Sequence, residues 1–406
     1  MPNSSFKTSV VLLCLGWALI YADRTTLYPL LTVIGSEFNL SSTMTGFLTS
    51  TYFLVYVAMQ TPAGIVGDYI GLKKLLIGTY LLAGLALLGL SLISNDYWST
   101  LAAIALHAFG AGAYGSVAYG LSMQEAPDRW RGLAAAAVNS GMSLGLALGL
   151  ATSGPLYVMT HNWRIPFLIL SIPTIILAFL FQLLLPEKSK SPSRKKLPSP
   201  VKTWKNKNLL LISFVQFCSL YGFWVTITWG PTFFQTERGF SIAASGLYLA
   251  LIAAVSFPIV FTVGMLMNHI SRRKLGFILF PITALTIMAL ACVQSKRALI
   301  LTLIIYGIFG KFVWDPVGLA WIGEEMSRKD PQLMGTAMGF FNFSGMASAV
   351  VAPLVSGWLR DTTGTLTGAF YLAAVIVLLA CPALYFASEP ERQNLNPARV
   401  GSPGGG

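Results

Sequence analysis

The chain has 406 residues, 55% of them hydrophobic and only 10% charged, with a formal net charge of +12. Soluble domains carry roughly 25% charged residues, so a chain of this length and composition could not cover itself with a polar surface. A soluble enzyme, a nucleic-acid binder and a disulfide-stapled secreted domain are all excluded, and a membrane protein is left.

Apolar runs recur along the whole length. In chain order they cover 8–36, 44–66, 74–94, 98–122, 132–158 and 164–185, then 207–235, 242–268, 275–294, 298–325, 333–359 and 365–387. Each can cross a hydrocarbon core of about 30 Å as a helix, and a lone strand in lipid would leave its backbone groups unpaired. The expected fold is an all-α membrane protein of twelve transmembrane helices in two six-helix halves. The division is 1–185, a basic linker 186–208, 209–388 and a tail 389–406. Internal prolines such as Pro29, Pro155, Pro173, Pro316 and Pro353 suit such helices, where neighbours re-satisfy the freed backbone. The cysteines (Cys14, Cys218, Cys292, Cys381) stand singly in apolar runs and are expected to be small buried hydrophobes.

The linker holds Lys188, Lys190, Arg194, Lys195, Lys196, Lys202, Lys205 and Lys207 against one acid, Glu187. With Lys7, Lys73, Lys74, Arg129, Arg131, Arg272, Arg273, Lys274, Arg328, Lys329, Arg392 and Arg399, it places twenty of the 27 basic residues in loops on one side. Basic loops stay cytoplasmic, so both termini and the linker are expected there, in a cell inner or plasma membrane.

The halves echo each other. Gly64, Asp68 and the pair Lys73-Lys74 recur two hundred residues on as Gly264, Asn268 and Arg273-Lys274. Gly132…Asn139-Ser-Gly141 recurs as Gly335…Asn342-Phe-Ser-Gly345. Two repeated bundles joined by a polar linker suit a carrier that binds at the midplane and tilts its halves alternately.

The loop after the second run reads Gly64, Asp68, Gly71, Lys73, Lys74, with Tyr69 where the usual pattern has Arg. In this the chain resembles the major facilitator superfamily, over residues 8–388. The resemblance implies a gate in which Asp68 meets Arg129, Arg131 and the start of the eleventh span. Trp163-Arg164-Ile-Pro-Phe167 resembles the superfamily's usual opening of span six. Gly141, Gly145 and Gly149 partly resemble its antiporter glycine motif, while four-residue spacing of small residues also serves close helix packing.

Ionisable groups at bilayer depth cost ~2.5–3.5 kcal/mol on insertion scales and therefore mark candidate sites. Asp23 and Arg24 lie midway along span one. Neighbours on a helix point about 100° apart, so the two cannot face one cavity equally. Tyr21, Arg24 and Tyr28 share a stripe in which a planar guanidinium between aromatic rings suits a carboxylate, sulfonate or phosphate. Asp23 is then the proton carrier; the competing reading is a self-neutralising structural pair. His107 in span four is either a second proton carrier or an interhelical hydrogen bonder. Lys311 and Asp315 in span ten are spaced for a salt bridge, or for a second anion contact released when Asp315 takes a proton. Tyr221, Trp224 and Thr228 in span seven form an amphipathic wall. Tyr21-Ala-Asp23-Arg24 resembles the span-one signature of the anion:cation symporter branch, with the lipid-exporting Spinster branch as second choice.

No phosphate loop, metal-ligand cluster or nucleophile with a base is present in the sequence, so no enzymatic activity, cofactor or metal is expected. The expected function is secondary active transport, as proton-coupled symport of a small organic anion such as a carboxylate or sugar acid. The alternative is a proton-coupled antiporter exporting an amphipathic drug or lipid-like compound. The partners are the anion, protons and the bilayer, without nucleic acid, and the chain is expected to act as a monomer.

Overall fold

The computed structural model describes residues 4–125, 130–186, 206–266, 270–329 and 333–389, and no strand occurs among them. The first half comprises span one (Ser4–Thr25 with Leu27–Glu37), span two (Ser42–Ile70), span three (Leu72–Ile93), span four (Tyr97–Gly112 with Tyr114–Glu125), span five (Arg131–Thr160) and span six (Arg164–Leu184). The second comprises span seven (Lys207–Arg238), span eight (Ile242–Leu266), span nine (Arg272–Cys292), span ten (Lys296–Phe309 with Lys311–Lys329), span eleven (Met334–Thr363) and span twelve (Thr367–Leu378 with Ala380–Phe386). Among the described residues ten of these are long and apolar enough to cross a membrane; spans two and four are the other two.

Local chemistry sets the ends. Ser41, Ser271 and Ser295 accept the backbone N–H of Met44, Lys274 and Ala298, and Asp96 closes a reciprocal box with Ser99. Gly71 joins spans two and three at φ 97°, a conformation that suits a residue without a Cβ. Span one breaks at Thr26, where Pro29 has no N–H to give the Thr25 carbonyl. Span four breaks at Ala113 and span ten at Gly310, so three spans bearing intramembrane ionisable residues are interrupted.

Two staples repeat between the halves. At the end away from the linker, Glu37 accepts from Trp163 Nε1 (2.6 Å) and Arg164 Nη2 (2.7 Å), tying span one to the start of span six. Its counterpart two hundred residues on, Glu237, accepts from Leu366 N and Thr365 Oγ1 at the start of span twelve. At the linker end, Lys73 Nζ donates to the Leu185 carbonyl (2.6 Å) and Arg273 donates to the Ala387 carbonyl, each capping the last helix of its own half.

Span five lies directly on span one, because a methyl group at Gly141, Gly145 or Gly149 would collide with the Cys14 carbonyl, the Ala18 carbonyl or Thr25 Oγ1. The expectation that the cysteines are buried holds for Cys218; Cys292, at the end of span nine, is exposed.

The two halves are closed at the end away from the linker. Asp361 of span eleven accepts from Ser42 N and Thr43 N (both 2.7 Å) and Thr43 Oγ1 (2.6 Å), at the positive end of span two. Gln235 donates to the Pro29 carbonyl and Ser50 to the Val350 carbonyl. Nearer the linker, a solvent-exposed bond from Asn342 Nδ2 to Gln60 Oε1 (3.1 Å) joins spans eleven and two. Beyond it, Gly64, Gly335 and Gly339 stand in open space.

Candidate functional site

Arg24 lies where the halves meet. Its guanidinium carbon is 3.5 Å from the Tyr21 ring centroid and 5.3 Å from the rings of Phe53 (span two) and Trp224 (span seven). Phe53 and Trp224 close over it with centroids 4.3 Å apart. Along span two, Phe53 sits between the two inter-half bonds at Ser50 and Gln60, so Arg24 is bracketed by contacts toward both ends. Arg24 is 4% exposed, because both halves close over it.

Asp23 and Arg24 diverge, as the helical repeat requires. No ion pair joins them among the described residues, so the self-neutralising pair is not formed. Asp23 turns into its own half, with Oδ2 3.2 Å from Thr174 Oγ1 of span six. His107 places Nδ1 3.0 Å from the Ala83 carbonyl. A carbonyl only accepts, so Nδ1 carries the proton and Nε2 of the neutral ring presents its lone pair. Asp23, Arg24, Tyr28, Thr49, Tyr52 and His107 line one cavity of about 20 Å³. That is room for about one water.

Polar atoms here lack partners. Arg24 Nε and Nη2, Tyr28 Oη, Tyr52 Oη, Thr49 Oγ1 and Trp224 Nε1 are buried without a hydrogen bond, as are Asp23 Oδ1 and His107 Nε2. Leaving a buried donor unpaired costs ~1–3 kcal/mol, and an uncompensated buried charge more. Buried polar groups are mostly hydrogen-bonded, and several of the exceptions here lie around one guanidinium.

The Major Facilitator Superfamily profile matches residues 13–348. The chain belongs to this superfamily. It is therefore a multi-pass membrane transporter and not an enzyme. It is similar to the hexuronate transporter of Bacillus subtilis (strain 168), 23% identical over 94% of each chain. It is also similar to the "Probable sulfoacetate transporter SauU" of Cupriavidus necator, 24% identical over 92% of each chain. A crystal structure of a bacterial homolog of the human lysosomal transporter Spinster, inward-facing and occupied, shares the fold. It superimposes with a TM-score of 0.82 over 95% of this chain and 97% of that one, at 15% identity.

The remaining expected residues of this superfamily member fall in different places. Thr228 donates its hydroxyl to the Trp224 carbonyl of its own helix (2.6 Å), and Tyr221 packs against Phe217. Asp315 accepts from Gln216 Nε2 of span seven at 2.9 Å, outside the cavity beneath Arg24. The side chain of Lys311 lies outside the described residues, as do those of Asp68 and Arg131 and the whole of Arg129. Of the gate motif, Gly71 makes the turn, Lys73 caps span six and Lys74 is exposed. Phe53, Thr49 and Thr174 were not legible as site residues. Each is an ordinary side chain in a helix, and only packing brings it to Asp23 or Arg24.

Proposed function

We propose that the chain carries a small organic anion across the membrane together with a proton, with its termini and linker on the cytoplasmic side. The observation that carries this is the set of partnerless buried donors around Arg24. A carboxylate seated there would accept from the guanidinium fork and from the Tyr28, Tyr52 and Trp224 donors at once, while Tyr21 and Phe53 cover its apolar part. The relatives named for hexuronate and sulfoacetate support an organic anion.

Asp23 and His107 are the proton carriers in this reading. Both line the same one-water cavity, and each carries a buried acceptor without a partner, Oδ1 and Nε2. Thr174 Oγ1 is closer to the Leu170 carbonyl (2.9 Å) than to Asp23, so its oxygen is able to accept from a protonated Asp23. Negative charge arriving at Arg24 favours protonation of the neighbouring carboxylate, and the two ligands then promote each other's binding. The twenty basic residues on the linker side support the orientation. One chain supplies every group named, so a monomer suffices.

The test uses proteoliposomes and a panel of sugar acids. Asp23→Asn keeps anion exchange and loses uptake driven by a pH gradient; full pH-driven uptake removes Asp23 from coupling. Arg24→Ala loses anion binding; unchanged affinity leaves Arg24 a structural residue. Extrusion rather than accumulation under an inward proton gradient would establish an antiporter.

A further inference from the structure

Opposite the linker, a second cavity of about 560 Å³ opens between the halves, lined by the ends of spans one, seven and eleven and the start of span two. This volume lies in the range of small-molecule sites, and the closure at Ser50 and Gly46 separates it from Arg24. Its walls carry Ser36, Asn39, Thr232 and Thr236, and a single cation, Arg360.

The state of these groups points to a ligand. Arg360 is half-buried and has no ion pair among the described residues. Its chain neighbour Asp361 is held by Ser42 and Thr43, and Glu237 by Thr365 and Leu366, so both carboxylates are engaged by other donors. Thr232 also borders the cavity, but it is 1% exposed and its hydroxyl is sealed from the open space. Asn39 stands at φ 52° in the turn after span one and is exposed. One cation held in no ion pair, among exposed hydroxyl and amide groups, matches a hydroxylated carboxylate: the charge goes to Arg360 and the ligand's hydroxyls to Ser36 and Asn39.

We infer that this vestibule is a second binding site, an antechamber where a hydroxylated organic anion docks outside the closed gate. The inference rests on the proposed function for the ligand's class. It differs in placing that ligand at a site independent of Arg24.

The test is protection of a thiol. Ser36→Cys is introduced together with Cys292→Ser, which removes the exposed native thiol. The purified full chain is treated with a maleimide with and without glucuronate, and modification is followed by intact mass. Glucuronate should slow modification severalfold, equally when Arg24→Ala is added, and Arg360→Gln should abolish the slowing without lowering the unfolding temperature. No slowing in the Ser36→Cys chain overturns the proposal. So does slowing that disappears with Arg24→Ala and survives Arg360→Gln, since it would then report the central site. Slowing in a chain that moves no hexuronate leaves the antechamber standing and defeats the proposed function, whereas transport without slowing does the reverse.

Discussion

Arg24 and Trp224 stand two hundred positions apart, at matching places in the two halves, and they meet: the guanidinium carbon lies 5.3 Å from the indole centroid. The same offset relates Glu37 to Glu237 and Lys73 to Arg273, whose bonds stay inside their own halves. The staples hold each bundle together, and the Arg24–Trp224 contact lies across the surface between the halves.

Trp224→Phe tests the contact with the least disturbance. A ring remains over Arg24 while the Nε1 donor is lost. A hydrogen bond to a charged partner is worth ~1.5–3 kcal/mol, so anion affinity should fall by about tenfold to a hundredfold. Trp224→Ala should cost more, because the cation–π contact is lost as well. Equal affinity for wild type and Trp224→Phe, by titration calorimetry, would show that the indole N–H makes no bond to the anion.

Asp361 holds the far end shut through three bonds to span two. Asp361→Ala removes a cross-half cap worth ~0.5–2 kcal/mol and should shift the population toward opening at that end. A thiol placed by Ser50→Cys, buried here at 2% exposure, should then react faster. Asn342→Ala, which breaks the opposite bond to Gln60, should slow it. Equal rates in all three chains would mean that these bonds do not set access.

The glycines of span five and span eleven should respond oppositely to alanine. At Gly145 the new methyl meets the Ala18 carbonyl, and overpacking of this kind costs ~1–3 kcal/mol. At Gly339 the methyl meets nothing within 4 Å, and replacing a helical glycine gains ~0.5–1 kcal/mol. Thermal unfolding in one detergent should place Gly145→Ala below wild type and Gly339→Ala at or above it.

Asp96, in the turn before span four, supplies a pH test outside the membrane. Backbone N–H groups of Ser99 and Trp98 hold its carboxyl below the ordinary value. A lowered folded value means that the stabilisation is fully present above the unfolded pKa of about 3.9 and fades as pH falls through the folded one. Asp96→Ala should therefore unfold earlier than wild type at neutral pH, with the gap narrowing below pH ~4. A gap that stays constant with pH would show that the carboxylate's charge is not what caps span four.

Much was determined by the sequence alone. Length, hydropathy and missing charge specify twelve crossings, and every described end lies within four residues of the run read from the chain. These properties are local, since a lipid-spanning segment must satisfy its own backbone and announces itself in about twenty consecutive residues. The rarity of buried charge likewise marked Asp23, Arg24 and His107, and helical geometry required the first two to part.

Only the tertiary structure decided what each of them faces. That Phe53 and Trp224 cover Arg24, that Thr174 meets Asp23, that the Ala83 carbonyl fixes the His107 tautomer, and that the end away from the linker is closed all depend on residues far apart in the chain. Phenylalanine, threonine and glycine recur throughout such helices and cost nothing distinctive where they stand. Their roles arise from which neighbouring helix lies against them, and that is set by packing between whole spans rather than by the pattern along any one.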